Sequence, residues 1–263
     1  MSSFEEILYI LQDKMETPVA WGWFHLMWIG ISAFVLILLC LKKKHGEIEL
    51  KLVLGIYGII ALILEVAKQL IWSFNYDAIN NIVTWDYQWY AAPFQLCTTP
   101  IFVYLICLFL KDGKTRNSLL SYLAFVTIWG GLLTVIIPDS CFTSDTLINI
   151  HTMWLHCGSL VISLYLIMSR NVKVEKQDMI DGFKVFLIFV LLAEILNITV
   201  YNMDILKGEE FNMFYISPYF VSELPVFNVL QEKLPFLVYL FLYIASVFIG
   251  ANVIYYLFRK RKI

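Results

Sequence analysis

A thiol and several imidazoles in or beside apolar segments are the side chains of this sequence best suited to nucleophilic chemistry. Cys97 lies in the segment WYAAPFQLCTTP, and His25, His151 and His156 lie in other apolar runs. A histidine that accepts the proton of a nearby thiol creates an activated nucleophile. We assign His156 as the candidate base, because Ser159 shares its helical face, and His25 as a group that could stabilise charge on an acyl oxygen. A single membrane cysteine or histidine more often packs or makes a structural hydrogen bond, so these assignments are hypotheses.

Metal binding is not expected from these residues. His151 and His156 are five residues apart, which places them ~140° apart around a helix. They cannot present one metal site in the way that an i, i+4 pair does. The five cysteines show no C-x-x-C spacing that would indicate a zinc site. We therefore predict no metal site and no cofactor.

Further ionisable and polar residues interrupt the apolar runs. Glu65 and Lys68 are three residues apart and share a helical face, which predicts either an internal ion pair or part of a binding cavity. Asn197 and Tyr201 share a face with Glu194, where hydrogen bonds between helices are the alternative to a binding site.

The composition predicts that a membrane positions these residues. The 263 residues are 60% hydrophobic and only 15% charged, and the mean hydropathy is +0.74. Soluble domains carry about 25% charged residues. The net charge of −2 gives no reason to expect a nucleic-acid partner. We predict an all-α polytopic membrane protein whose partners are membrane lipids.

Apolar runs of about 20 residues, the length needed to span a bilayer, predict about seven transmembrane helices in a single bundle formed by residues 21–263. The predicted spans are about 21–41, 52–73, 92–110, 118–137, 150–169, 182–203 and 234–258. Residues 1–20 are acidic, unlike the basic start of a signal peptide, and predict a short amphipathic helix on the outer surface. The connection 204–233 is long and rich in aromatic residues, which is typical of a lid or a re-entrant segment.

Basic residues follow alternate spans, as cytoplasmic loops do. Most of the 19 lysines and arginines lie in four places: Lys42–Lys44 with Lys51; Lys111, Lys114 and Arg116; Arg170, Lys173 and Lys176; and Arg259–Lys262. An odd number of spans is needed for this alternation. We predict that the protein lies in the cell membrane, with its N-terminus outside and its C-terminus in the cytoplasm.

Depth along the spans predicts a shared cavity. At 1.5 Å per residue, several polar residues lie roughly 6–9 Å below the outer boundary, and two acids lie somewhat deeper. The first group is His25, Lys68, Cys97, His156 and Asn197, and the second is Glu65 and Glu194. Independent packing residues would scatter in depth, so we expect an outward-facing cavity.

Four short motifs carry a resemblance to a known family. In chain order they are FHL, WYAAPFQLC, LHCG and FNMFYISP. This order resembles the YwaF-like family of bacterial integral membrane proteins, which is similar to the animal transmembrane protein 164 family. The family's LPLHLC pattern is similar to residues 92–97, its AHG to residues 155–157, and its NYMF-like segment to residues 212–215.

The resemblance implies a cysteine-dependent phospholipid acyltransferase with a histidine partner. Cys97 would then be the nucleophile and His156 its base, although Gln95 stands where the bacterial motif has a histidine. Substrate-binding residues would be His25, Glu65, Lys68, Gln95, Asn197, Tyr201 and Asn212. We therefore expect an enzyme that transfers or hydrolyses lipid acyl groups. The alternative is a non-enzymatic binding or transport protein for a small polar solute or a lipid headgroup.

Overall fold

The computed structural model describes residues 1–41, 46–138 and 141–259. Within these residues, six helical segments are long and apolar enough to span a membrane, which confirms the predicted all-α polytopic fold. They are α2 (Trp23–Cys40), α3 (Glu47–Ser73), the consecutive helices α5 (Lys114–Phe125) and α6 (Thr127–Ile136), α7 (Thr146–Met168), α8 (Lys176–Asn202) and α10 (Phe236–Phe258). The shorter helices are α1 (Ser3–Leu11), α4 (Thr99–Phe109) and α9 (Phe227–Lys233).

The third predicted span, 92–110, differs from the prediction. Only α4 is helical there, and its 11 residues cover about 16 Å, half of a bilayer core. Pro100 lies in the first turn of α4, where its missing N–H leaves no hydrogen bond unmade. Residues 92–98 are irregular, so Cys97 precedes the helix instead of lying inside it.

The chain between residues 91 and 116 nevertheless runs the length of α3. Three contacts mark its course from one end of α3 to the other: Lys68 with Ala91, Gly58 with Tyr104, and Glu47 with Arg116. Gly58 is required for this approach, because a Cβ atom there would lie 2.9 Å from the Cβ of Tyr104. The segment thus lies alongside α3 where the third span was predicted, with α4 as its helical part.

The N-terminal helix and a small hairpin cover the same end of the bundle. Leu8 of α1 is buried in a cluster with Ile71, Phe74 and Ile148, and the side chain of Gln12 donates to the carbonyls of Ile71 and Phe74. An antiparallel pair of strands, β1 (Phe74–Asp77) and β2 (Ile82–Trp85), follows α3.

Basic residues gather at the opposite end. Nη1 of Arg116 donates to both carboxylate oxygens of Glu47 at the start of α3. Arg170, Lys173, Lys176 and Arg259 line one open cavity of about 1200 Å³ between the ends of α7 and α10. Lys42, Lys43, Lys44, Lys260, Arg261 and Lys262 lie outside the described residues. The cytoplasmic assignment of this end stays a prediction.

Candidate functional site

A cavity of about 320 Å³ lies where α3 ends and α7 begins. Five of the predicted site residues line it: Lys68, Gln95, Cys97, His156 and Asn212. Others that line it are Cys141, His151, Glu210, Tyr215 and Glu223. The structure therefore brings the proposed nucleophile and the proposed base to the walls of one space.

Cys97 lies in a turn that side-chain hydroxyls hold in place. The hydroxyl of Thr98 accepts from the N–H of Gln95 at 2.8 Å and lies 3.0 Å from the Gln95 carbonyl oxygen, to which it donates. The hydroxyl of Thr99 donates to the carbonyl of Leu96 at 2.9 Å. The hydroxyls thus serve the Gln95 N–H and the Leu96 carbonyl, backbone groups that an irregular segment would otherwise leave unpaired. The thiol is partly exposed, so the turn presents it to the cavity.

His156 is held by a close approach of α6 and α7. A Cβ atom on Gly131 would lie 2.5 Å from the His156 carbonyl oxygen, so only glycine permits this packing. The Nδ1 atom of His156 lies 3.1 Å from the carbonyl oxygen of Gly130. Because a carbonyl can only accept, Nδ1 carries the proton and Nε2 keeps a lone pair. Among the described residues Nε2 has no hydrogen-bond partner, and this tautomer can act as a general base.

The predicted ion pair between Glu65 and Lys68 is confirmed, and it has a third member. Oε1 of Glu65 lies 2.7 Å from Nζ of Lys68, and Oε2 lies 2.7 Å from Nε2 of His151. Gln69 also donates to Oε1 at 2.8 Å, and Lys68 donates to the Ala91 carbonyl at 3.0 Å. We call Glu65, Lys68 and His151 the paired cluster. Glu65 does not line the cavity, whereas Lys68 and His151 do.

Two predicted substrate-binding carboxamides hold the outer loop by its backbone. Gln95 donates to the carbonyl of Asn212 at 2.9 Å and accepts from the N–H of Phe214 at 2.7 Å. Asn197 donates to the carbonyl of Met213 at 3.1 Å and accepts from its N–H at 2.7 Å. Both ends of each amide are engaged, so these residues position residues 212–214. Their role in substrate binding stays a prediction.

Asn212 acts in the same way within the loop. Its side chain accepts from the N–H of Ser217 at 2.8 Å and donates to the carbonyl of Val221 at 3.1 Å. The side chain of Gln231 in α9 adds a bond to the Ser217 carbonyl at 2.8 Å. The long connection is thus held by its own hydrogen bonds, and its residues Glu210, Asn212, Tyr215 and Glu223 line the cavity. Its role as a lid stays a prediction.

Four predicted site residues do not line the cavity: Glu65 and Asn197, described above, and His25 and Tyr201. His25 is fully buried, its Nδ1 accepts from the N–H of Trp21 at 3.0 Å, and its ring contacts Phe142. Within the described ranges its Nε2 has no partner. Tyr201 is 43% exposed and stacks on Tyr219 with ring centroids 3.7 Å apart. Neither residue lines the cavity, so the common depth of His25, Cys97 and His156 did not bring all three together.

Several lining residues were not predicted as part of the site. His151 was placed on a different helical face from His156, yet the cavity extends far enough around α7 to touch both. Glu210, Tyr215 and Glu223 lie in the outer loop, where the sequence has no periodicity that would predict the direction of a side chain. Of these three residues, only Tyr215 lies in a family motif, the one at residues 212–215. In the part of the chain that the structure describes, no group of three or more His, Cys, Asp and Glu side chains could hold a metal ion.

Comparison with known proteins gives one match. A sequence model of the TMEM164 family matches residues 19–258, which is most of the chain. No curated protein and no solved structure matches the chain. The matched region includes every residue that lines the cavity.

Proposed function

We propose, from the premise that this chain belongs to the TMEM164 family, that it is a membrane-embedded enzyme. The enzyme would transfer or hydrolyse lipid acyl groups through Cys97 and His156. The family match confirms the resemblance to the animal transmembrane protein 164 family. The narrower likeness to the bacterial YwaF-like proteins, and the cell membrane as the location, stay predictions.

The observation that carries the proposal is the shared cavity. Cys97 and His156 line the same 320 Å³ space, and Nε2 of His156 is left with its lone pair because Nδ1 donates to Gly130. A backbone carbonyl here has the orienting role that a carboxylate has in other nucleophile–histidine pairs. The thiol and the base are thus available to a reactant in the cavity.

The proposed reaction has two halves. In the first, the Cys97 thiol gives its proton to Nε2 of His156, and the sulfur attacks the carbonyl carbon of a lipid ester. A C–S bond forms, the ester C–O bond breaks, and His156 returns the proton to the departing alcohol oxygen. In the second half, an acceptor alcohol or water attacks the thioester and gives its proton to His156. The C–S bond breaks, and the Cys97 sulfur regains the proton.

The interior below the cavity favours an enzyme over a transporter. Leu123 and Phe125 of α5 and Ile162 and Leu166 of α7 are fully buried and apolar. The buried hydroxyls of Thr127 and Ser163 beside them already donate to backbone carbonyls, so a polar solute that crossed the bundle would meet few free hydrogen-bonding partners. The cavity therefore suits a reactant that enters and leaves at one end of the bundle.

Product analysis tests the proposal. The purified chain would be placed in vesicles that contain a diacyl phospholipid with an isotopically labelled acyl chain and an unlabelled lysophospholipid. We expect the label in a newly formed diacyl lipid for a transferase, or in free fatty acid for a hydrolase. Cys97→Ala should abolish either product, and Cys141→Ala, which removes the other thiol of the cavity, should retain it. Absence of both products from the wild type, or full turnover by Cys97→Ala, would reject the proposal.

A further inference from the structure

The loop segment that enters the cavity has an uncommon backbone. Phe214 and Tyr215 are consecutive and have φ values of +59° and +58°. Non-glycine residues rarely adopt this left-handed region, and bulky side chains do so least readily. Such conformations persist only where the surroundings determine them, and they are frequent at functional sites.

The surroundings of this segment do determine it. The N–H of Phe214 donates to Gln95, and both backbone groups of Met213 bond to Asn197. The hydroxyl of Tyr239 donates to the carbonyl of Tyr215 at 2.6 Å. Met213, Phe214 and Tyr239 are fully buried. Residues from α8, α10 and the turn around Cys97 thus fix the direction in which the Tyr215 side chain leaves the backbone.

That direction takes the Tyr215 ring to the wall of the cavity that Cys97 and His156 also line. Within the described residues the Tyr215 hydroxyl has no hydrogen-bond partner, and its oxygen is not among the fully buried atoms. Burial of the ring raises the pKa of the phenol above its ordinary value, so the hydroxyl keeps its proton. A fixed, protonated and unpaired donor therefore faces the space in which the thiol would react.

We infer that Tyr215 is a further catalytic residue, whose hydroxyl donates a hydrogen bond to the carbonyl oxygen of the lipid ester as the Cys97 sulfur attacks the carbonyl carbon. This inference rests on the proposed function. Negative charge develops on that oxygen when the C–S bond forms, and a donor already in place stabilises it without reorganisation. His25, which the sequence suggested for this role, does not line the cavity.

Removal of one hydroxyl tests the inference. The rate of thioester formation would be measured by intact-protein mass spectrometry after acid quenching, for wild type, Tyr215→Phe and Tyr219→Phe. Tyr219 is in the same loop but does not line the cavity. We expect Tyr215→Phe to react about 100-fold more slowly, as when an oxyanion donor is removed, with an unchanged thermal unfolding midpoint. Tyr219→Phe should react at the wild-type rate.

The outcomes separate the two proposals. A Tyr215→Phe variant that forms the thioester within threefold of the wild-type rate would overturn the role of Tyr215 and leave Cys97 in place. A wild type that forms no thioester would overturn both.

If Tyr215→Phe does not fold, 3,5-difluorotyrosine at position 215 serves instead, since it keeps the shape but loses its proton at a lower pH. The reaction should then fail at a lower pH than in wild type. Identical pH profiles would contradict the role.

Discussion

Two polar groupings at the same end of the bundle use similar residues in opposite ways. In the paired cluster, each carboxylate oxygen of Glu65 has a partner at 2.7 Å, one from Lys68 and one from His151. Around Cys97, the hydrogen bonds instead hold the turn and the His156 ring, while Nε2 of His156 stays open. His151 and His156 are on one helix, five residues apart. Nε2 of His151 bonds to a carboxylate, which makes this histidine structural. Nε2 of His156 has no such partner, which makes it a candidate base.

The comparison separates two consequences of mutation. Loss of one member of a buried ion pair leaves an uncompensated charge and destabilises the fold. Loss of a group that faces a cavity removes reactivity with little effect on packing. We therefore expect the paired cluster to control stability and the Cys97–His156 pair to control reaction rate.

The largest difference should appear when the two histidines receive the same substitution. His156→Gln removes the proposed base and should slow thioester formation by about 100- to 10,000-fold, the contribution typical of general base catalysis. His151→Gln should instead lower the thermal unfolding midpoint in detergent more than His156→Gln does. Quench-flow mass spectrometry and thermal unfolding on both variants measure the two effects. Equal rates of thioester formation for the two variants would contradict the assignment of His156 as the base and of His151 as a structural residue.

A stability effect of similar origin is expected at Glu65. Glu65→Ala should lower the free energy of unfolding by about 3–5 kcal/mol, because Lys68 is left charged and buried. Glu65→Ala combined with Lys68→Ala should be less destabilising, because the double variant no longer buries the unpaired charge of Lys68. Thermal unfolding in detergent compares the single and double variants. If the two midpoints coincide, the pair does not form in the folded protein.

A further stability effect should distinguish Asn197, which holds the loop, from the exposed ring of Tyr201. Asn197→Ala leaves the N–H and carbonyl of Met213 without partners and should cost about 1–3 kcal/mol for each orphaned group. Tyr201→Phe removes only the hydroxyl of a half-exposed stacked ring and should be close to neutral. Both variants can be followed by thermal unfolding and by the rate of thioester formation. Equal stabilities would mean that Asn197 does not hold the loop.

Hydropathy was sufficient for the long helices but not for the third span. The window from 92 to 110 is mostly apolar, so hydropathy alone could not show that the helix is confined to Thr99–Phe109. The irregular half is held by local bonds from the hydroxyls of Thr98 and Thr99 to nearby backbone carbonyls and by the bonds of Gln95 to the backbone of residues 212 and 214. Such contacts have no periodic signal in the sequence.

The depth of residues along the predicted spans identified only part of the site. Lys68, Cys97 and His156 were placed at one level, and all three line the cavity. Depth fixes only one coordinate, however, and the side chain of Asn197 turns to the Met213 backbone instead. Tyr215 lies in an irregular loop, and its position depends on the bond between Gln95 and the neighbouring Phe214, 119 positions apart in the chain, and on the bond from Tyr239.

Intact-protein mass spectrometry of the chain after incubation with mixed phospholipids, followed by peptide mapping, tests the central claim most directly. We predict an adduct of fatty-acyl mass that hydroxylamine removes, that maps to the peptide containing Cys97, and that is absent from Cys97→Ala. An adduct on Cys141, or no adduct at any lipid composition, would contradict the assignment of Cys97 as an acyl-accepting nucleophile.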